Sequence, residues 1–282
     1  MRGAVALLAL CIVCTAHAAP TRNYTVRLYS GEDQALFVKD GPIMTPLAVV
    51  NGGRIEVFEG SAREYFAAGR AYYLYSAGSV GKALAGGEMD VGCGTRAGVV
   101  KTVEGPDANG VLSNFPLGPQ RAAARAPTGD ERKLIKLMAK QQLRRQGIPP
   151  YYIARMLDSE SQGVQRRQSL AVLQLPDNPE PRLFASYALD WSLDKRRGSI
   201  TLSFIAEPNK AGTYLIGWQD FDQTEGESSG STRTFLASAD LDGDGSDELV
   251  LAATGNEKWW YEVLSRVRGK WTLIATSPAG GC

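Results

Sequence analysis

Three aspartates alternate with small residues in segment 239–250 (ADLDGDGSDELV), the part of the sequence whose spacing has a specific chemical meaning. A glycine (Gly245) takes the sixth place of the loop, where a sharp turn favours a residue without Cβ. Calcium takes about six to eight oxygen ligands, which alternating carboxylates in a turning loop can supply. The spacing therefore predicts a calcium site with these ligands: Asp240, Asp242, Asp244, the carbonyl of Ser246, and Glu248.

An EF-hand is the competing interpretation of this segment. It requires a bidentate glutamate at the twelfth loop position and a helix on each side. The twelfth position here is Leu251, and Leu249–Ala253 has the composition of a β-strand. The sequence thus favours a loop between two strands. An aspartate-rich turn that binds no metal is the remaining alternative.

The segment resembles the calcium loop of FG-GAP and VCBS repeats, which occur in integrin-like propellers and many secreted bacterial proteins. In those repeats an Asp-x-Asp-Gly-Asp-Gly-x-x-Asp loop joins two strands and runs into Leu-Val-Val. The matching run here is Asp240–Glu248 followed by Leu249–Leu251, with Glu248 in place of the usual aspartate. The resemblance covers residues 234–276 and implies an ion that fixes a strand pair, with no catalytic role. The loop occurs once, so a propeller is not expected.

The first residues are typical of a secretory signal. Arg2 precedes an apolar run, Gly3–Thr15, which is too short to span a bilayer. Ala16–Ala18 (AHA) has the small-x-small pattern of a cleavage site. We predict a signal peptide at residues 1–18, a secreted or periplasmic protein, and no transmembrane segment after cleavage. A membrane anchor or a buried helix is the alternative.

Removal of this segment limits the chemistry of the mature chain. The single histidine, His17, would leave with the signal, which excludes Ser-His-Asp, Cys-His and histidine-ligated zinc sites. Of the four cysteines, Cys93 and Cys282 would remain, and in an exported chain they are predicted to form one disulfide. Two free thiols are the alternative.

Composition and charge exclude some classes of partner. The chain is 44% hydrophobic and 22% charged, which is typical of a globular protein. Its formal net charge is +1, so we expect no nucleic-acid partner. A protein or glycan ligand stays open as a partner.

The fold is predicted to be mainly β (α+β), beginning with a β-rich N-terminal domain at residues 19–118. Short strands separated by Gly and Pro favour a small barrel or sandwich there. The predicted strands are Tyr24–Tyr29, Leu36–Val38, Arg54–Phe58, Ala71–Tyr75 and Ala97–Val103.

Residues 119–168 are predicted to form a linker and a helical segment. The stretch Pro119–Pro127 lacks periodicity and indicates a linker. Thr128 and Glu131 fit a capping box, which starts a helix through Gln146. A second helix is predicted over Pro150–Leu157. The predicted apolar face of the first helix consists of Leu134, Ile135, Leu137 and Met138.

Residues 169–282 are predicted to form an antiparallel β meander that carries the calcium loop. Alternation of apolar and polar residues marks strands around 183–192, 200–204 and 214–218, the last with Ile216 and Trp218 on one face. Further strands flank the loop, and a hairpin through Arg268 and Gly269 follows it. Residues 220–231 are predicted to form an acidic loop. Trp260 is out of phase with Trp259 and is predicted to be exposed.

Two functions of different classes fit these observations. The first is a non-catalytic, binding or envelope-associated protein whose fold calcium stabilises. The alternative is a secreted hydrolase of polysaccharide or peptide that uses paired carboxylates. The carboxylates available for that role are Asp190, Asp220, Asp222, Glu225 and Glu227. Two Ser-x-x-Lys patterns, at Ser79 and Ser192, lack the partner motifs of acyl transferases.

Overall fold

The computed structural model describes residues 32–76, 79–118, 123–158, 165–175, 180–193, 196–226, 230–255 and 257–281. The predicted fold class is confirmed. The chain is mainly β, with an antiparallel barrel near the N-terminus, two central helices and antiparallel strands toward the C-terminus. Of the helices described, none is long and apolar enough to cross a membrane. The predicted signal peptide and the predicted strand Tyr24–Tyr29 lie outside the described residues.

The N-terminal part is a barrel of six strands with a seventh strand at its side. The order is β1-β7-β4-β5-β6-β2, and β1 also pairs with β2, which closes the ring and leaves it without a free edge. β3 pairs with the outer end of β2. The strands are β1 (Gln34–Asp40), β2 (Ile43–Val50), β3 (Ile55–Val57), β4 (Ala71–Ser76), β5 (Ser79–Asp90), β6 (Arg96–Glu104) and β7 (Gly110–Ser113).

Strand β1 is buried on both of its faces. Ala35 and Phe37 belong to the cluster that fills the barrel, whereas Leu36 and Val38 belong to a second cluster on the outside of the wall. Because side chains alternate across a strand, both sets can be apolar without conflict. This wall of the barrel is therefore covered from outside by another layer of the protein.

The helices are α1 (Gly129–Arg145) and α2 (Pro150–Leu157), as predicted. The predicted capping box is present at the start of α1. At its end Gly147 has φ 78°, and Ile148 N–H donates to the carbonyl of Leu143, which is a Schellman closure. The predicted apolar face was wrong at Leu137, which is 53% exposed. The buried stripe follows the i, i+3, i+4 pattern through Ile135, Met138, Ala139, Gln142 and Leu143.

The start of α1 gives a pH-dependent prediction. Glu131 accepts the Thr128 N–H at 2.7 Å and forms two bonds with Arg125, which lowers the pKa of Glu131 from 4.5 to about 2. Its contribution to stability is thus present above pH 4.5 and is lost as the pH falls through about 2. We expect Glu131→Gln to destabilise the protein at pH 7 and to do so less at pH 3, in urea unfolding. Asp130→Asn, at an exposed carboxylate of the same turn, is the matched control; an equal effect of Glu131→Gln at both pH values would contradict the prediction.

The helices cover one face of a five-stranded sheet, which we call the helix-bearing sheet. Its order is β12-β11-β10-β9-β8, and all neighbours are antiparallel. In β10, Leu183 and Ala185 pack against the helices, whereas Phe184 faces the opposite side. The strands are β8 (Ala123–Arg125), β9 (Gln165–Gln174), β10 (Arg182–Leu193), β11 (Arg196–Pro208) and β12 (Tyr214–Glu225). β8 lies within the stretch predicted as a linker, of which residues 119–122 are outside the described part.

Two sequence predictions about β12 were wrong. Ile216 and Trp218 do not share a face: a bulge at Gly217 puts Ile216 against the helices and Trp218 on the opposite side. Residues 220–225, predicted as the start of an acidic loop, continue the strand. Their pairing with β11 overrides the low strand preference of aspartate.

The remaining strands form a third layer, which we call the central sheet. Its order is β13-β14-β15-β16, and β17 pairs with the start of β15. In β14, Leu249 and Leu251 pack against the helix-bearing sheet, whereas Val250 packs against the barrel wall. The central sheet therefore lies between the other two units. Its strands are β13 (Thr232–Ala239), β14 (Glu248–Thr254), β15 (Lys258–Val267), β16 (Lys270–Thr276) and β17 (Gly280–Gly281).

Candidate metal centre

The aspartate-rich loop joins β13 to β14, so it links two neighbouring strands of the central sheet as predicted. The last pair of that ladder is Ala239 with Glu248. The loop between them must reverse the chain within residues 240–247. Gly243 and Gly245 have φ of 82° and 88°, a region that residues with a Cβ rarely adopt.

Backbone N–H groups of the loop converge on its aspartates. Asp240 accepts bonds from the N–H of Gly243 at 2.8 Å and from the N–H of Gly245 at 3.1 Å. Asp242 accepts the N–H of Asp244 at 3.1 Å. These bonds hold the side chains on the inside of the turn, where their remaining lone pairs can face a common point.

The structure brings three of the predicted ligands together. One carboxylate oxygen from each of Asp240, Asp242 and Asp244 lies within 4.8 Å of the other two. Asp240 and Asp242 are half-buried, and Asp244 is exposed. Three hard oxygen donors with this spacing fit a cation such as calcium.

The electrostatics of the cluster are unfavourable when it holds no cation. Burial raises the pKa of Asp242, and the carboxylates of Asp244 and Asp240 raise it further. Each added negative charge makes ionisation of the next carboxylate harder. A divalent cation at this point would remove that repulsion, so the donor set and its charge both suit a metal.

Glu248 is not part of the three-aspartate cluster, and its predicted role as a ligand stays a prediction. Its side chain is fully buried beneath the loop, where it accepts the Leu241 N–H and the Ser265 hydroxyl, each at 2.9 Å. Burial is the main cause that raises its pKa to about 8, and the charge of Asp242 adds to it. The structure does not bring Glu248 into the three-aspartate cluster, because these two bonds tie its carboxyl to the loop backbone and to β15.

Of the other loop residues, Ser246 is exposed, and its N–H donates to Asp244 at 2.7 Å. The ligand role of its carbonyl stays a prediction. Asp247, which sequence analysis did not select, is 8% exposed and accepts the hydroxyl of Ser238 at 3.2 Å. Sequence spacing offered no signal for Ser238 or Ser265, since only the pairing of the strands brings them to the loop.

The loop lies against the barrel side of the molecule. A Cβ on Gly118 would be 3.1 Å from Asp240 Oδ2, and a Cβ on Gly53 would be 3.6 Å from the Asp242 carbonyl. Gly53 belongs to the turn between β2 and β3. The loop therefore sits where the central sheet meets the barrel and the segment that leaves it.

Two of the carboxylates considered for hydrolysis form ion pairs. Asp190 pairs with Arg167 at 3.0 Å, and Asp220 pairs with Arg233 at 2.8 Å. Asp222 and Glu225 lie on β12, and Glu227 lies outside the described residues. These positions provide no support for a carboxylate pair across a cleft.

The predicted disulfide is partly within the described part of the chain. Cys93 is disulfide-bonded and lies in the turn between β5 and β6, with φ 50°. Its predicted partner, Cys282, is outside the described residues, so the pairing stays a prediction. Gly94, which follows Cys93, lines the same cavity as Ala279.

The tryptophans occupy mixed environments. Trp271 is 5% exposed and belongs to the cluster between the central and helix-bearing sheets. Trp260, predicted to be exposed, is half-buried, and its Nε1 donates to Glu262 at 2.8 Å. Its indole is therefore held within the protein by a polar bond.

No protein-family model, curated protein or solved structure matches the chain. The likeness of residues 240–251 to FG-GAP and VCBS loops thus stays a prediction that depends on the residues of the loop.

Proposed function

We propose that this chain is an exported, non-catalytic calcium-binding protein in which the ion fixes the β13–β14 connection. The observation that carries the proposal is the convergence of Asp240, Asp242 and Asp244, whose oxygens lie within 4.8 Å of one another. Carboxylate oxygens suit calcium, and thiolate or imidazole ligands are absent from this described cluster.

A structural role for the ion follows from the position of the loop. The cluster lies at the end of a hairpin whose strands are buried in the middle layer of the protein. An ion bound there would hold the loop against the barrel, near Gly118 and Gly53. Catalysis by a metal would need an open ligand position beside a substrate cleft. The described residues form three cavities of note, and none of the three aspartates lines any of them.

Export and a binding role complete the proposal. They depend on the predicted signal at residues 1–18 and on the disulfide of Cys93, since disulfides persist in oxidising compartments. We place the protein in the periplasm or outside the cell, with a protein or glycan as the class of partner.

A calcium titration tests the metal site. Binding to the folded state alone stabilises by about 2.7 kcal/mol at a hundredfold excess of ligand over Kd. We expect the melting temperature of the signal-free protein to rise with calcium and to fall again with EGTA. Asp242→Ala should abolish this dependence, because it removes one of three clustered donors.

The matched control is Asp90→Ala. Asp90 is an exposed aspartate that also accepts a loop N–H, from Gly92 at 2.8 Å, but it is not part of the cluster. This variant should keep the full calcium response. The same melting temperature of the wild-type protein in calcium and in EGTA would refute the metal site.

A further inference from the structure

A cavity of about 340 Å³ lies between the barrel and the last part of the central sheet. It is separate from the aspartate loop, and an inference about it does not depend on calcium. Small-molecule sites usually measure about 300–1,000 Å³ and are often found between structural units. The size and the position of this cavity therefore fit a ligand site.

The barrel side of the cavity depends on Gly98, which lets an aromatic ring pack directly on β6. The single-turn 3₁₀ helix Arg63–Phe66 packs its Phe66 ring onto Gly98 of β6, where a Cβ would be 2.5 Å from the ring. Phe66 is 1% exposed and forms an apolar part of the lining. Because Arg63 begins the same turn, this packing also fixes the backbone of Arg63, which lines the cavity.

The opposite side is formed by Trp259 and the segment that follows β16. Trp259 is half-buried and pairs with Gly280 through β17. Pro278 completes this wall. Ser277 ties the segment to β15, since its N–H donates to the Tyr261 carbonyl at 2.8 Å and its hydroxyl accepts the Tyr261 N–H at 2.9 Å. Trp259 and Pro278 thus form an apolar wall, and the hydrogen bonds between Ser277 and Tyr261 fix its position.

Three charged residues line the cavity: Arg63, Arg96 and Glu88. Arg63 has a side-chain exposure of 82%, and its Nε is 3.9 Å from Glu88, a loose ion pair. Arg96 is exposed and forms no ion pair within the described part of the chain. The lining residues therefore include two arginines and one glutamate. Their combined positive charge suits a ligand that carries one negative charge.

We propose that this cavity binds a small organic carboxylate with an apolar or ring-shaped body. A guanidinium binds a carboxylate through two parallel hydrogen bonds, which suits Arg96 and Arg63. The body of the ligand packs against Trp259 and Pro278, both of which line the cavity. A phosphate monoester carries about 1.5 to 2 negative charges near neutral pH. Glu88 repels that larger charge, so the site prefers a monoanion.

Naphthalene-2-carboxylate is a suitable probe, with naphthalene-2-carboxamide and 2-naphthyl phosphate as comparators. We expect saturable binding of the carboxylate to the signal-free protein in isothermal titration calorimetry. The neutral amide and the phosphate should bind at least tenfold more weakly. Added salt should weaken binding of the carboxylate more than binding of the amide.

Arg96→Gln and Arg63→Gln separate the charge from the cavity shape. Each should weaken binding of the carboxylate about tenfold, because it removes one charge-assisted hydrogen bond. Binding of the amide should stay unchanged. Arg197→Gln, at an exposed arginine on β11, is the matched control and should leave both affinities unchanged. Both cavity arginines are exposed, so the variants should keep the wild-type melting temperature, which is measured in parallel.

Three results would overturn the proposal. They are the lack of saturable carboxylate binding, an affinity for the carboxylate that is the same in Arg96→Gln as in the wild-type protein, and tighter binding of the phosphate than of the carboxylate. None of these results affects the calcium site, because Asp240, Asp242 and Asp244 do not line the cavity.

Discussion

Glu262→Ala should lower the free energy of unfolding by about 3 kcal/mol, the low end of the range for breaking a buried ion pair. Glu262 is 2% exposed and receives Arg233 Nε at 2.6 Å and Nη2 at 3.0 Å. It also accepts the indole N–H of Trp260 at 2.8 Å. Alanine leaves the guanidinium, on a residue that is 7% exposed, without its main partner. Asp220 keeps the loss at the low end, because it still pairs with Arg233 at 2.8 Å, although it is 43% exposed and screened by water.

Urea unfolding with matched variants checks this prediction. Glu104→Ala removes a glutamate from the exposed Lys82–Glu104 pair, whose side chains are 55% and 64% exposed. Exposed pairs contribute about 0–1 kcal/mol, so this control should change stability little. The double replacement Arg233→Met with Glu262→Leu should recover much of the loss, because no charge is then left buried. Equal losses in Glu262→Ala and Glu104→Ala would show that the buried pair has no special weight.

Phe37→Ala is expected to cost about 3–5 kcal/mol, the range for emptying a large buried aromatic site. Phe37 is fully buried inside the barrel. Its ring centroid lies 5.9 Å from that of Phe58, 5.2 Å from Tyr65, 6.2 Å from Phe66 and 5.6 Å from Tyr72. A closed barrel cannot collapse easily around the void, because its strands are hydrogen-bonded all round.

Two further substitutions serve as comparisons for the stability loss in Phe37→Ala. Phe37→Leu should cost less than Phe37→Ala, because it leaves a smaller void. Val103→Ala removes methyl groups from a residue on β6 that is 53% exposed and should change stability by no more than about 0.5 kcal/mol. A loss in Phe37→Ala as small as that in Val103→Ala would contradict the packing described for the barrel.

The sequence predicted correctly those features that depend on residues close together in the chain. The capping box at Thr128 and the helix that follows it depend on residues three apart, and they are present. The turn at Arg268 and Gly269 has φ of 52° and 78°, as a tight hairpin needs. The clustering of three aspartates was equally local, since alternating side chains in one turning loop converge without help from the rest of the fold.

Features that depend on distant partners were missed. Gly86 and Gly87 form a pair that is typical of a turn, but they lie within β5, at a bulge opposite β6. Strands β2 and β7 were not predicted, because their apolar residues face two different layers and do not alternate. Spacing alone selected Glu248 as a ligand, and only the pairing of β14 with β15 brings the Ser265 hydroxyl to its carboxyl.

The order of the layers has a consequence for how the chain must assemble. Strands β1–β7 form the barrel, and strands β8–β12 with the two helices form the helix-bearing sheet, yet the sheet that covers both is made of strands β13–β17. A chain that folds from its N-terminus onward therefore keeps two apolar surfaces in contact with water until the last strands arrive. The aspartate loop lies in those last strands. An ion bound in this loop would therefore act at the last step of folding, when the central sheet joins the barrel to the helix-bearing sheet.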